Sequence, residues 1–187
     1  MTAVDPLAGP VLAGIAAFAA TNMDDLLLLV AFFAAGTYRA RDVVLGQFAG
    51  IGLLFAASAA ASMVALVIPT HYLPLFGLLP VLIGLKQIFL RDTRHGIVPP
   101  ASGLLAVAAM TVANGGDNIA VYTPLLATSS AQAIGAIGAV FAVMTALWCF
   151  AAHWLLRHPY AAAPVRRYGP ALAPYALIAI GVAILLR

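Results

Sequence analysis

Six apolar segments, at about 9–36, 43–68, 73–90, 101–128, 131–156 and 169–187, reach or approach the length of a membrane crossing. A crossing helix needs about 20 apolar residues. The hydrocarbon interior admits only structures whose backbone groups are bonded internally, so runs of this length read as helices. Charged residues make up 8% of the chain, against about 25% in a soluble domain. The chain therefore reads as an all-α integral membrane protein with six transmembrane helices. Its 187 residues fill one transmembrane domain, 1–187, and leave no room for a separate soluble module. Turn and breaker residues separate the segments: Thr37 to Asp42, Pro69 to Pro74, Arg91 to Pro100, Thr128 to Gln132, and Arg157 to Tyr168.

The basic residues sort by loop. Arg39 and Arg41 lie in the first loop, Lys86, Arg91 and Arg94 in or beside the third, and Arg157, Arg166 and Arg167 in the fifth. The second and fourth loops carry no Lys or Arg. Basic loops stay cytoplasmic, which predicts a multi-pass plasma-membrane protein with both termini outside. The net charge of +3 then reflects orientation in a lipid bilayer and does not indicate nucleic acid, which is not an expected partner. No Lys or Arg precedes Arg39, so the first segment is expected to stay in the mature protein rather than act as a signal peptide. The single Cys149 excludes an intrachain disulfide and any Cys-x-x-Cys motif.

Two polar runs interrupt this apolar background, Thr21-Asn22-Met23-Asp24-Asp25 and Asn114-Gly115-Gly116-Asp117-Asn118. They hold three of the six carboxylates, and the chain has no Glu. A charged Asp at the centre of a membrane helix costs roughly 2.5–3.5 kcal/mol, so three of them imply a compensating role, and binding a cation supplies one. Helix positions i, i+3 and i+4 share a face. Asn22 therefore points with Asp25, and Asn114 points with Asp117 and Asn118. Asp24 is turned away by about 100° and joins them only if the backbone unwinds. Gly115 and Gly116 favour unwinding, each weakening a helix by about 1 kcal/mol relative to Ala. The plainer reading of these glycines, close helix packing, leaves Asp117 unexplained.

The metal-ligating candidates are thus Asn22, Asp24, Asp25, Asn114, Asp117 and Asn118. Accessory candidates are Thr21 and Thr111, which add hydroxyls, Met23, the sulfur inside a motif, and Lys86; Gln47 and Lys86 are also pathway candidates. Metal ligands must be deprotonated, so binding releases protons. This leads to exchange of a divalent cation for protons, with the cation as cargo and no cofactor. The competing structural reading has the aspartates pairing with Lys86 or with the asparagines as helix glue, although Lys86 near a helix end is placed to snorkel to the interface.

Asn22 and Asn114 are 92 residues apart, as are Asp25 and Asp117. Leu82-Ile83-Gly84 also resembles the stretch Ile178 to Gly181. Two repeats follow, at about 9–90 and 101–187. Three helices per repeat invert the second relative to the first, a transporter plan with its site at the repeat interface near the midplane.

The runs Ala20 to Asp25, Gly77 to Lys86 and Ala113 to Pro124, with Met144 to Cys149 and Pro174 to Gly181, resemble the cadmium resistance transporter family, a branch of the lysine exporter superfamily. The resemblance covers nearly the whole chain. It implies a plasma-membrane exporter of divalent cations, notably cadmium, and not an enzyme. Met23 stands where the family pattern carries a branched aliphatic residue. The donor chemistry is broader than the family name, since oxygen ligands suit Ca²⁺, Mn²⁺ or Mg²⁺ while soft metals favour thiolate.

Other functions stay open on sequence alone. An exporter of an amino acid or organic cation would use the carboxylates to hold an ammonium group, but no Arg lies mid-span for a substrate carboxylate. An intramembrane aspartyl protease would share a proton between two aspartates, but Asn114 occupies the first glycine of the Gly-x-Gly-Asp motif such enzymes carry. A structural subunit, with Gly46 and Gly50 favouring helix contacts and a homodimer, leaves the aspartates unexplained.

Overall fold

The computed structural model describes residues 7–65, 75, 77–89 and 103–186. Among them the regular structure is entirely helical: α1 (Ala8–Thr21), α2 (Met23–Ala34), α3 (Ala40–Ala65), α4 (Leu78–Phe89), α5 (Leu104–Asn114), α6 (Gly116–Ala127), α7 (Ala131–Arg157) and α8 (Pro159–Leu185). The expected breaks at 69–74 and 91–100 lie outside the described residues.

α3 and α7 are each long and apolar enough to cross a bilayer alone. The pairs α1–α2 and α5–α6 qualify only as single bent spans, with bends of 56° and 69°. The described residues thus hold two candidate crossings, or four if each bent pair counts as one. α4 has 12 residues, and the apolar part of α8 is Pro174–Leu185. One expectation is corrected here: the stretch from Arg157 to Tyr168 is not a loop beyond its first residues. α8 starts at Pro159 and runs through it. Proline suits a first helical turn, where its missing N–H has no partner to lose, and Ala161 to Ala163 are strong helix formers.

Ring and glycine contacts fix the helix directions. Gly14 packs on Ile137, Phe18 meets Phe141 and Trp148 edge-on, and Phe33 meets His153, so α1 and α2 run parallel to α7. Gly46 lies on Val107 and the Leu104 carbonyl, and Gly50 on Thr111 and the Ala108 carbonyl, so α3 runs parallel to α5. Any Cβ at Gly46 or Gly50 would overlap those atoms, so these glycines serve a contact within the chain. Gly77 faces Gly181, and Gly84 faces the Pro174 carbonyl and Ile178, which makes α4 and α8 antiparallel.

Two apolar clusters surround the polar runs. One gathers Phe18, Leu54, Tyr122, Ile137, Phe141 and Leu177. The other gathers Leu26, Leu29, Phe32, Val43, Val107 and Cys149. Asn22 and Asp25 fall at the junction in sequence, where α1 leaves the first cluster and α2 enters the second.

Candidate functional site

Both polar runs fall at helix breaks. At the first, Asn22 leaves helical geometry with φ −109° and ψ 19°. Its side-chain Nδ2 donates to its own preceding turn, at the Phe18 carbonyl 2.9 Å away. Such local bonding by asparagine competes with helix continuation. The Asn22 carbonyl is taken by Leu26 N–H at 3.1 Å and by the Trp148 indole N–H at 2.6 Å. At the second break, Gly115 sits at φ −81° and ψ 24° and donates to the Val112 carbonyl, a tighter turn than the α-helix. A Cβ at Gly115 would run into the end of Leu54, so glycine here lets α3 close against the break.

The breaks bring the two runs together. Asn114 Nδ2 donates to Asp24 Oδ2 and to Asp25 Oδ1, each at 2.8 Å. Gln47 Nε2 donates to Asp25 Oδ2 at 2.9 Å, and Thr111 Oγ1 donates to Gln47 Oε1 at 2.7 Å. The expectation that Asp24 points away from Asp25 is therefore amended. Both sit in the first turn of α2, just past the break, and one amide from α5 reaches both.

The second cluster is tied from the other side. Asn22 Nδ2 donates to the Tyr122 hydroxyl at 2.7 Å, and that hydroxyl and Thr21 Oγ1 lie 3.1 Å apart. Thr21 Oγ1 also reaches the Ala17 carbonyl at 3.0 Å. Asn118 Nδ2 donates to Asn22 Oδ1 at 3.4 Å. The orientation is forced. Asn22 spends its amide hydrogens on Phe18 and Tyr122, so its oxygen faces Asn118, which must answer with nitrogen. Asn118 Oδ1 is then left buried with no donor among the described residues. An unpaired buried acceptor costs about 1–3 kcal/mol and is relieved by a cation or a proton donor. Tyr122→Phe should destabilise the protein by about 1–2 kcal/mol through the lost bond; thermal unfolding in detergent reads this, and an unchanged midpoint would mean the bond contributes nothing.

Exposure differs across the cluster. Asp24 is exposed and Asp117 half-buried, whereas Thr21, Asn22, Asn118 and Tyr122 are 0–2% exposed. Asp117 bonds to the N–H of Asn118 at 3.0 Å, at the start of α6. Among the described residues no three Asp, His or Cys side chains stand together to hold an ion. The other oxygen-bearing side chains bonded at the two breaks are the amides of Asn114 and Asn118.

Three accessory expectations change. Met23 packs against the apolar cluster that includes Leu29 and Phe32, as its position about 100° round the helix from Asn22 and about 200° from Asp25 allows. Lys86 is exposed on α4, and the hydrogen bonds described at Asp24, Asp25 and Asp117 go to other residues. Thr111 touches Gln47 rather than a carboxylate. Tyr122 and Trp148 were not singled out from the sequence. Tyr122 had a signal, lying four residues after Asn118 and hence on its face. Trp148 lies deep in an apolar segment, away from the interfacial positions tryptophan favours.

A family model for cadmium resistance transporters matches residues 18–187. The match takes in both breaks and every polar side chain described around them. No curated protein and no solved structure matches the chain. With all but the first 17 residues covered by that model, the chain belongs to the cadmium resistance transporter family.

Proposed function

We propose that this transporter moves a divalent cation, cadmium among its substrates, out of the cell across the plasma membrane in exchange for protons, and that the two broken helices form its cation site. The observation that carries this reading is the joining of the two breaks: Asn114 of one bonds Asp24 and Asp25 of the other, and Asn118, bonded to Asn22 across the same breaks, keeps a buried oxygen with no donor among the described residues. A cation entering on the exposed Asp24 side meets Asp24, Asp25 and the Asn114 oxygen, with Asn118 behind them. Asp117, whose described bond is to the Asn118 N–H, closes on the ion by turning its side chain. Protons compete for the same carboxylates, because ligands bind metal in the deprotonated form. Proton entry from the far side therefore releases the metal there.

The proposal includes six crossings arranged as two inverted repeats, 9–90 and 101–187. Support comes from the breaks, at Asn22 and Gly115, each followed by a 12-residue helix. α1–α2 lie along α7 as α5 lies along α3, both pairs parallel, as inversion requires. The α4–α8 seam repeats itself too. A shift of 97 residues carries Gly77 onto Pro174 and Gly84 onto Gly181, so the contacts Gly77–Gly181 and Gly84–Pro174 are the same contact seen from each half. Half-helix ends facing a midplane site are a recurrent way to hold a transported ion.

Purified protein in proteoliposomes with an acidic lumen and an internal pH dye tests the function. Addition of Cd²⁺, Zn²⁺, Mn²⁺ or Ca²⁺ in turn should produce metal uptake with lumenal alkalinisation for Cd²⁺ at least. Metal uptake without a pH signal would remove the proton exchange, and no uptake of any of the four would remove metal transport.

A further inference from the structure

Resting on the proposed cation site, we infer that Gln47, oriented by Thr111, is a positioning residue that pre-sets the Asp25 carboxylate for cation capture. Gln47 is 1% exposed and lies within the apolar helix α3. A buried amide in such a place costs free energy unless bonded, and both of its ends are bonded to the site. A carboxylate only accepts, so Nε2 must face Asp25, at 2.9 Å. The Oε1 then faces Thr111, whose hydroxyl closes the chain at 2.7 Å. Thr111 has a second acceptor, the Val107 carbonyl, but at 3.1 Å.

The backbone is built for this reach. Gly46 and Gly50 flank Gln47, and Gly50 packs on Thr111 itself. Larger residues at either glycine would hold α3 off α5 and take the amide out of range. With Asn114 on Oδ1 and Gln47 on Oδ2, the Asp25 carboxylate is fixed in rotation and still keeps lone pairs for an ion. The arm serves one carboxylate only. A shift of 92 residues carries Gln47 onto Ala139 and Thr111 back onto Ala19, neither of which has a polar side chain. Asp25 is thus the pre-set ligand and Asp117 the one that moves.

The test is the dependence of Cd²⁺ uptake rate on Cd²⁺ concentration in proteoliposomes holding wild type, Gln47→Leu, Thr111→Val or Thr111→Ser. Partners that orient a metal ligand contribute about 10–100-fold in affinity. Gln47→Leu should raise KM for Cd²⁺ by about that factor, with a smaller loss in maximal rate. Thr111→Val should raise KM less, and Thr111→Ser, which keeps the hydroxyl, should restore it. KM does not depend on how much protein folds, so a variant of poor yield still reports. KM within twofold of wild type in both Gln47→Leu and Thr111→Val, with only yield or maximal rate reduced, would overturn the inference. In that case a transporting wild type silenced by Asp25→Asn would leave the proposed site standing, whereas a wild type that moves no metal would remove the site itself.

Discussion

Asp25→Asn and Asp117→Asn should each reduce metal efflux by about 100-fold or more, since even the outer partners of a metal ligand contribute 10–100-fold. Asp25→Asn carries a second defect. Its new amide must place nitrogen against Asn114 or Gln47, both of which already donate to Asp25. Neither substitution should impair insertion, because removing a charge from a membrane helix lowers its insertion cost. Cadmium tolerance of a sensitive host, read beside the amount of membrane-inserted protein, measures the effect. Normal tolerance in both variants at normal protein level would sink the account. Asp24→Asn should reduce efflux less, because Asp24 is exposed and Asp25 keeps its two donors.

The second large effect falls far from the site. Gly181→Val should part α4 from α8. A Cβ at Gly181 meets the Gly77 carbonyl and the Val81 backbone, and neither can move aside as a side chain would. Overpacking a tight contact costs about 1–3 kcal/mol and occasionally more, and here the obstacle is partly backbone. The expected result is a sharply lower thermal midpoint and loss of monodisperse protein in detergent. Gly135→Ala and Gly52→Ala are the controls, since nothing lies within 4 Å of a Cβ at either. Wild-type stability in Gly181→Val would mean the α4–α8 seam is not packed as described.

Much of this was legible in the chain. Apolar segment length marks α3 and α7 directly, and the two polar runs mark both breaks. The glycines of the second run mark it as a place where the helix unwinds. What periodicity cannot express is the effect of a break on helix phase. Asp24 looks misdirected on a continuous helix, yet just past Asn22 it shares one amide with Asp25. Met23 looks like a ligand by position in the run, yet it lies off the face that Asn22 and Asp25 share and packs against the apolar cluster. Lys86 attracted attention as a cation near aspartates, but pairing depends on where α4 lies, which no local pattern carries. Tyr122 bonds to a residue 100 positions away, a partnership that the spacing of Asn118 and Tyr122 hints at without naming Asn22. Pro159 and Pro164 favour a loop between Arg157 and Tyr168, although a proline in the first turn, as Pro159 is, begins a helix as readily as it ends one.

Direct binding is the sharpest test that the paired breaks hold the transported ion. Isothermal titration of Cd²⁺ into purified wild-type protein and into Asp25→Asn/Asp117→Asn measures it. The account predicts saturable binding to the wild type, accompanied by proton release that shows as a buffer-dependent heat, and loss of both in the double variant. Cadmium binding of unchanged affinity in the double variant would place the ion elsewhere and contradict the account.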